Sequence, residues 1–460
     1  MGSDSLPLAS HRQSRPAHTR VAGQHRRHAA VVGGGIAGLT AALRLAEAGA
    51  RVTVVEATAV LGGKIRTASD GIETGAEQFL MRSPDGDASG AARLVETLGL
   101  GDRLVHPVAG GAGLWIGDHL RPMPTGTVMG VPGPAAVLDG IAELADGDRD
   151  TGAPVLAGQD VAVGALVRDR LGGEIVEHLV DPLLGGVYAG RADLLSLRAT
   201  IPALYAALQT GHTLRDAVAT TAAASRAHAA GQPVFGTLRG GLSILVEALS
   251  RRLLDLGVAI HCGSPLRTLA DLPADAYVLA CPAKPASLLL GEPAGELVGA
   301  LDYASVGLVT LRLPEAELPQ LSGFLVPADQ GLSIKAATFF TRKWAHLASD
   351  DAIVRVSVGR YGDPGALTLT DEALGEAVQA DLAKILGPLP AASAVRVTRW
   401  GGGLPQYAPG HVERIEQARA LLAGAGSPIA LAGAAFDGVG IPACITSGEK
   451  AAADLGEFVS

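Results

Sequence analysis

Aromatic side chains are scarce in this chain: Phe, Tyr and Trp together make up 3% of its 460 residues. An interior with so few of them must be filled by Ala, Leu, Val and Gly. The 61 glycines imply many tight turns or close backbone approaches. Cysteine is scarcer still. Cys262, Cys281 and Cys444 are odd in number and never closely spaced, which excludes a disulfide framework and a C-x-x-C metal or redox pair. A reducing cytoplasm is the expected location. No uncharged apolar run reaches the roughly 18 residues of a spanning helix, so no transmembrane segment is expected, while a peripheral membrane contact stays open. Positive charge is short as well. The net charge of −9 invites neither nucleic acid nor an anionic membrane surface.

What is present suits a globular, core-rich protein, with 48% apolar and 18% charged residues. The length exceeds one ordinary core, so two or three structural units are expected. Residues 1–28 read differently. Arg12, Arg15, Arg20, Arg26 and Arg27 are opposed there only by Asp4, alongside His11, His18, His25 and His28. There is no apolar stretch for a secretory signal, and the histidine spacing is too irregular for a metal site. A disordered basic tail is expected, or a start site set too far upstream.

A nucleotide-binding pattern follows. His28-Ala29-Ala30-Val31-Val32 is a short apolar run that enters Gly33-Gly34-Gly35-Ile36-Ala37-Gly38. Leu39, Ala42, Leu43 and Leu45 then recur at helical spacing up to Gly49, and the run Arg51–Val55 delivers Glu56. Gly33, Gly35 and Gly38 satisfy G-x-G-x-x-G. The first permits the tight turn, the second lets backbone approach a pyrophosphate, and the third allows close helix–strand packing. The helix N-terminus offers free N–H groups to phosphates. Glu56, 18 residues past Gly38, stands where an acid bonds the ribose hydroxyls of an adenosine.

The continuation separates FAD from NAD. Leu61-Gly62-Gly63-Lys64-Ile65-Arg66-Thr67 resembles the second glycine doublet of the glutathione-reductase-like flavoproteins of amine oxidase and protoporphyrinogen oxidase type. Glu73-Thr74-Gly75-Ala76-Glu77-Gln78-Phe79 matches their small-residue turn beside the flavin. Further ordered matches narrow the resemblance to the bacterial protoporphyrinogen and coproporphyrinogen oxidases. They are Asp181 to Gly190, Lys335 to Thr338 with Lys343-Trp344, Trp400 with Leu404 to Tyr407, and Ala432 to Ile445.

This resemblance implies non-covalently bound FAD, contacted by Gly33, Gly35, Ile36, Ala37 and Gly38 of the first turn. It adds Glu56 and Ala57, Gly63 and Lys64, then Gly75, Ala76, Glu77 and Gln78. Backbone near Leu266 would meet the adenine. Trp400 and the N–H groups of Val439, Gly440 and Ile441 would lie beside the flavin. The implied fold is α/β and α+β. A discontinuous, glutathione-reductase-like Rossmann domain occupies 29–90, 226–295 and 416–460. Residues 91–225 are expected as a mainly α-helical subdomain, and 296–415 as a mixed sheet that binds substrate.

The family's chemistry implies hydride transfer from a saturated meso carbon of a porphyrinogen to flavin N5. Reoxidation by oxygen releases hydrogen peroxide, and three rounds give the porphyrin. No side-chain catalytic base is named. Propionates call for Arg or Lys, and the candidates are Arg82, Lys335, Arg342 and Lys343. Plant and animal protoporphyrinogen oxidases carry an arginine in the strand before the segment matched by Arg121-Pro122-Met123-Pro124. Here Gly110-Gly111-Ala112-Gly113-Leu114-Trp115 holds no basic residue. The resemblance therefore favours the Gram-positive branch, which oxidises coproporphyrinogen III, over protoporphyrinogen IX. A transient ferrochelatase contact is a further expectation. Two rival readings are another flavin oxidase acting on amines or carotenoids, and a non-enzymatic flavin-bound sensor. Cys444 could tether flavin only on the first; its plain reading is a small buried hydrophobe.

Overall fold

The computed structural model describes residues 26–108, 110–147, 149–152, 158–229 and 231–459. The expected basic tail lies outside them except for its last three residues. Among the described residues, no helix is long and apolar enough to cross a membrane.

The chain opens on β1 (His28–Val32), α1 (Ile36–Glu47) and β2 (Arg51–Val55). A turn-rich segment leads to a hairpin, β3 (Gly113–Ile116) and β4 (His119–Pro122), and later to helices α2 (Val163–Leu171) and α3 (Asp181–Tyr188). Then come α4 (Ser243–Asp255), β5 (Ala259–His261) and β6 (Ala276–Leu279). The next strands are β7 (Asp302–Leu313), β8 (Gly323–Leu325), β9 (Ile334–Phe339) and β10 (Ala352–Val358). After α5 (Asp371–Leu386) and β11 (Ala394–Gln406), the chain adds α6 (His411–Gly424), β12 (Ile429–Leu431) and α7 (Ile441–Asp454).

Five strands form a parallel sheet in the order β5-β2-β1-β6-β12. Every residue of β1 is buried, as expected of a central strand covered on both faces. Helix α1 contacts both α4 and α7. A Cβ on Gly448 of α7 would lie 2.2 Å from the Ala37 carbonyl oxygen, so the two helices meet backbone to backbone.

The larger sheet runs β11-β7-β10-β9-β8-β3-β4, with only the β8–β3 pair parallel. Side chains alternate between its faces. Val309, Leu311, Val354, Val356 and Phe339 bury against Leu374, Val378 and Leu382 of α5. The register aligns Arg121, Leu114, Leu325, Ala336, Ser357 and Leu308 across the other face, called inner below. Helix α3 lies on this inner side, touching β8, β9 and β11.

The β3–β4 hairpin lies inside the stretch 91–225 expected to be mainly helical, yet it pairs into the large sheet. Leu114 and Ile116 bury against α2 and its neighbours, while Trp115 enters the core under α5. With both faces apolar, no alternation marks the strand in the sequence.

Candidate cofactor and substrate site

The three fingerprint glycines meet three different constraints. Gly33 has φ +117°, and a Cβ there would lie 2.5 Å from the Ala280 carbonyl oxygen. A Cβ on Gly38 would lie 2.0 Å from the Gly33 carbonyl oxygen, which locks α1 onto the turn. A Cβ on Gly35 would meet nothing within 4 Å: that position opens into space. Gly35 also caps α1 without a side-chain hydrogen bond, so the N–H groups of Ile36, Ala37 and Gly38 face this opening as first-turn donors.

The second glycine doublet lies against the first. Gly35 bridges Gly62, and the Gly62 N–H donates to the Gly34 carbonyl at 2.8 Å. Gly63 has φ +58° and would place a Cβ 3.3 Å from the Gly35 Cα. Lys64 follows Gly63 in the same turn, and desolvation by surrounding protein lowers its pKa. Glu56 follows β2. Its carboxylate accepts from the Gly34 N–H at 2.7 Å, and from the Thr58 N–H and hydroxyl at 2.7 and 2.8 Å. It is thereby held at the rim, with Ala57 exposed beside it and Leu266 half-buried.

Residues 73–77 are gripped from the large sheet. Arg355 donates to the Glu73 and Gly75 carbonyls, each at 3.0 Å, and to the Glu77 carboxylate. Lys343 donates to the other Glu77 oxygen at 2.5 Å. Burial works against the Glu77 charge, but Lys343 and Arg355 outweigh it and keep this carboxyl below its ordinary pKa. Trp400 Nε1 donates to the Thr74 carbonyl at 2.7 Å, and the Ala76 N–H to the Lys64 carbonyl at 3.1 Å. A Cβ on Gly75 would collide with the Lys64 carbonyl oxygen at 2.1 Å. Gln78 has a buried side-chain oxygen with no donor among the described residues.

At the far end, Gly440 precedes α7 with φ +105° and no side-chain cap, and a Cβ there would meet nothing within 4 Å. The turn before it is fixed by Asp437, which pairs with Arg419 at 2.7 Å and accepts from the Ser447 hydroxyl. Val439 and Ile441 flank Gly440 at this helix start. Cys444, one turn on, has its thiol pKa pushed up to about 11 by burial.

The four proposed propionate cations differ sharply. Arg82 is exposed and donates to the Gly86 carbonyl of its own turn at 2.6 Å. Lys343 is engaged by Glu77. Arg342 is half-buried in the short helix Phe340–Lys343. Lys335 is 5% exposed on the α3 side of the sheet. Sequence reasoning missed Arg355 and Arg360. Arg355 stands between Val354 and Val356, a charge in an apolar strand that could have marked a polar inner face.

The pattern of the flavin-containing amine oxidoreductase family matches residues 36–456. Coproporphyrinogen III oxidase of Mycobacterium tuberculosis is 37% identical, covering 92% of this chain and 95% of that one.

The chain belongs to the flavin-containing amine oxidoreductase family.

Within this family, coproporphyrinogen III oxidase of Bacillus subtilis is 34% identical over 93% of this chain and 98% of its own. A solved Exiguobacterium structure, proposed to be a protoporphyrinogen oxidase, superposes with TM-score 0.78 at 30% identity, covering 94% of this chain and 99% of that one. A putrescine oxidase structure shares the fold at TM-score 0.64 and 20% identity, covering 93% and 98%. The family's flavin fits the residues present. The open Gly35 position, the first turn of α1, the unpaired Gln78 oxygen and the uncapped start of α7 supply donors, an acceptor and clear backbone suited to FAD.

Proposed function

We propose that this protein oxidises coproporphyrinogen III to coproporphyrin III, with FAD as cofactor and molecular oxygen as final acceptor. The observation that carries this reading is whole-chain similarity, at 34–37% identity, to relatives named coproporphyrinogen III oxidase, joined to an intact FAD cradle. Six electrons and six protons leave the substrate, and three oxygen molecules become three of hydrogen peroxide.

Gly33, Gly35 and the first turn of α1 would hold the pyrophosphate, with Glu56 and Ala57 at the ribose and Leu266 by the adenine. Gly63, Lys64, Gly75 to Gln78 and Trp400 would line the flavin. Bound there, FAD supplies hydride acceptance. The chain's own part is positioning: the Arg355–Glu77–Lys343 group fixes the turn at 73–77, and the start of α7 favours negative charge nearby. The inner face of the large sheet, with Leu325, Ala336 and Leu308, offers an apolar floor for a flat macrocycle. Lys335 and Arg342, neither in an ion pair among the described residues, would meet its propionates.

Aerobic turnover of coproporphyrinogen III and protoporphyrinogen IX, followed by porphyrin fluorescence and peroxide, tests the reading. A clear kcat/KM preference for coproporphyrinogen III is expected. Oxidation of neither, with turnover of an amine, would overturn it.

A further inference from the structure

Between α3 and the β8–β9 hairpin lies a small pocket that the cofactor cradle does not use. Asp181, Gly185 and Gly190 line one side, and Val326, Lys335 and Arg360 line the other. Two of these groups are cations set in protein. The Lys335 ammonium carries three N–H donors, yet among the described residues it has one acceptor, the Gly185 carbonyl at a long 3.3 Å. Arg360 uses a terminal nitrogen for the Val326 carbonyl at 2.9 Å and the Ile334 carbonyl at 3.4 Å, which aims its guanidinium along the same wall.

Asp181 lines the pocket and, with Asp363, supports the Arg360 charge from a distance. Its carboxylate accepts from the Ala192 N–H at 2.7 Å, however, and among the described residues no ion pair within 4 Å joins it to Lys335 or Arg360. Burial and the neighbouring Arg360 push the Lys335 pKa down to about 7, with no carboxylate among the described residues opposing them. Burial lowers that of Arg360 against the pull of Asp181 and Asp363, so Lys335 is the cation here that is short of negative charge. A buried charge is costly unless paired. A planar carboxylate meets this arrangement, because it accepts from an ammonium and a guanidinium at once. Beside the pocket, Gly186 and Val187 of α3 are exposed, and a Cβ on Gly186 would come only within 3.5 Å of Leu325. The helix thus presents a bare strip next to the apolar inner face.

We propose that this pocket is a carboxylate subsite, with Lys335 and Arg360 as its cationic wall, that takes one propionate of the porphyrinogen and of the product porphyrin. The proposal rests on the porphyrinogen-oxidising function given above. It separates Lys335 from Arg82 and Lys343, because its charge is neither spent on a carboxylate partner nor left in open solvent.

The test uses FAD-loaded protein and two probes, coproporphyrin III and its tetramethyl ester, with binding read by porphyrin fluorescence. Lys335→Met should weaken the tetra-acid about tenfold, the loss of one charge-assisted bond, and leave the ester unchanged. KM for coproporphyrinogen III should rise by a similar factor with kcat within about twofold. Melting temperature and flavin content report folding, and Lys335→Gln replaces the Met variant if that one fails to fold. Equal weakening of acid and ester would assign Lys335 a structural role and overturn the subsite, as would unchanged binding of the acid. Wild-type protein that binds and oxidises no porphyrinogen would overturn the functional reading itself, and the subsite with it.

Discussion

Arg355, on the inner face of the large sheet, donates to the carbonyls of Glu73 and Gly75 at 3.0 Å each. A side chain of the large sheet therefore sets the backbone of the turn at 73–77. Arg355→Met should strip both carbonyls and leave Glu77 buried with one cation, Lys343. A loss of about 3 kcal/mol or more is expected on breaking this buried group. Chemical denaturation, together with the ratio of flavin to protein absorbance, checks both stability and cofactor retention. Arg355→Lys, which keeps the charge without the fork, should recover stability only in part.

Gly35 and Gly38 predict opposite failures. Gly35→Val should leave the apoprotein folded, since its side chain enters open space, while abolishing FAD binding. Gly38→Ala should unfold the domain, because its Cβ would lie 2.0 Å from a backbone oxygen; about 3 kcal/mol or more is expected. Apoprotein melting temperature and flavin titration separate the two. A yellow, fully loaded Gly35→Val protein would remove the pyrophosphate from this turn.

Flavin should stay non-covalent. With its pKa pushed up to about 11, the Cys444 thiol holds almost no thiolate at neutral pH, and the thiolate is the nucleophile. Acid precipitation should leave all flavin in the supernatant, and Cys444→Ala should bind FAD as the parent does. Yellow precipitate would contradict this.

Glu73 gives the stability a pH slope. Burial raises its pKa from 4.5 to about 7, against opposing bonds from the Leu242 N–H and Thr67. The folded state then holds a proton that the unfolded state releases, so the contribution is full below about pH 4.5 and is lost as pH rises to about 7. The expected size is about 3 kcal/mol across that window. Glu73→Gln should flatten the fall and melt higher than the parent at pH 8. Denaturation midpoints from pH 5 to 8 for both proteins check the sign.

The local part of this architecture was legible because its signals are local. The turn at 33–38, the helix after it and the strand before Glu56 are written in consecutive residues, and β6 appears as its own apolar run. The grip on the 73–77 turn is not written that way. Lys343 and Arg355 lie more than 260 residues from Glu77, and although Arg355 stands out as a charge between two valines, neither reveals its partner until the fold brings it inward. Arg360 was invisible for the same reason. The β3 strand escaped because both of its faces are buried, which erases the period that distinguishes strand from helix.

The parallel sheet draws its strands from 28–55, 259–279 and 429–431, and α1 rests on Gly448 of α7. During synthesis the ribosome makes the turn at 33–38 early and the helix that packs against α1 more than 400 residues later. For most of translation the nascent chain carries that turn without α7 beside it. The contact between α1 and α7 therefore closes only when nearly the whole chain has been made, so the parallel sheet and its helices complete late, as a unit.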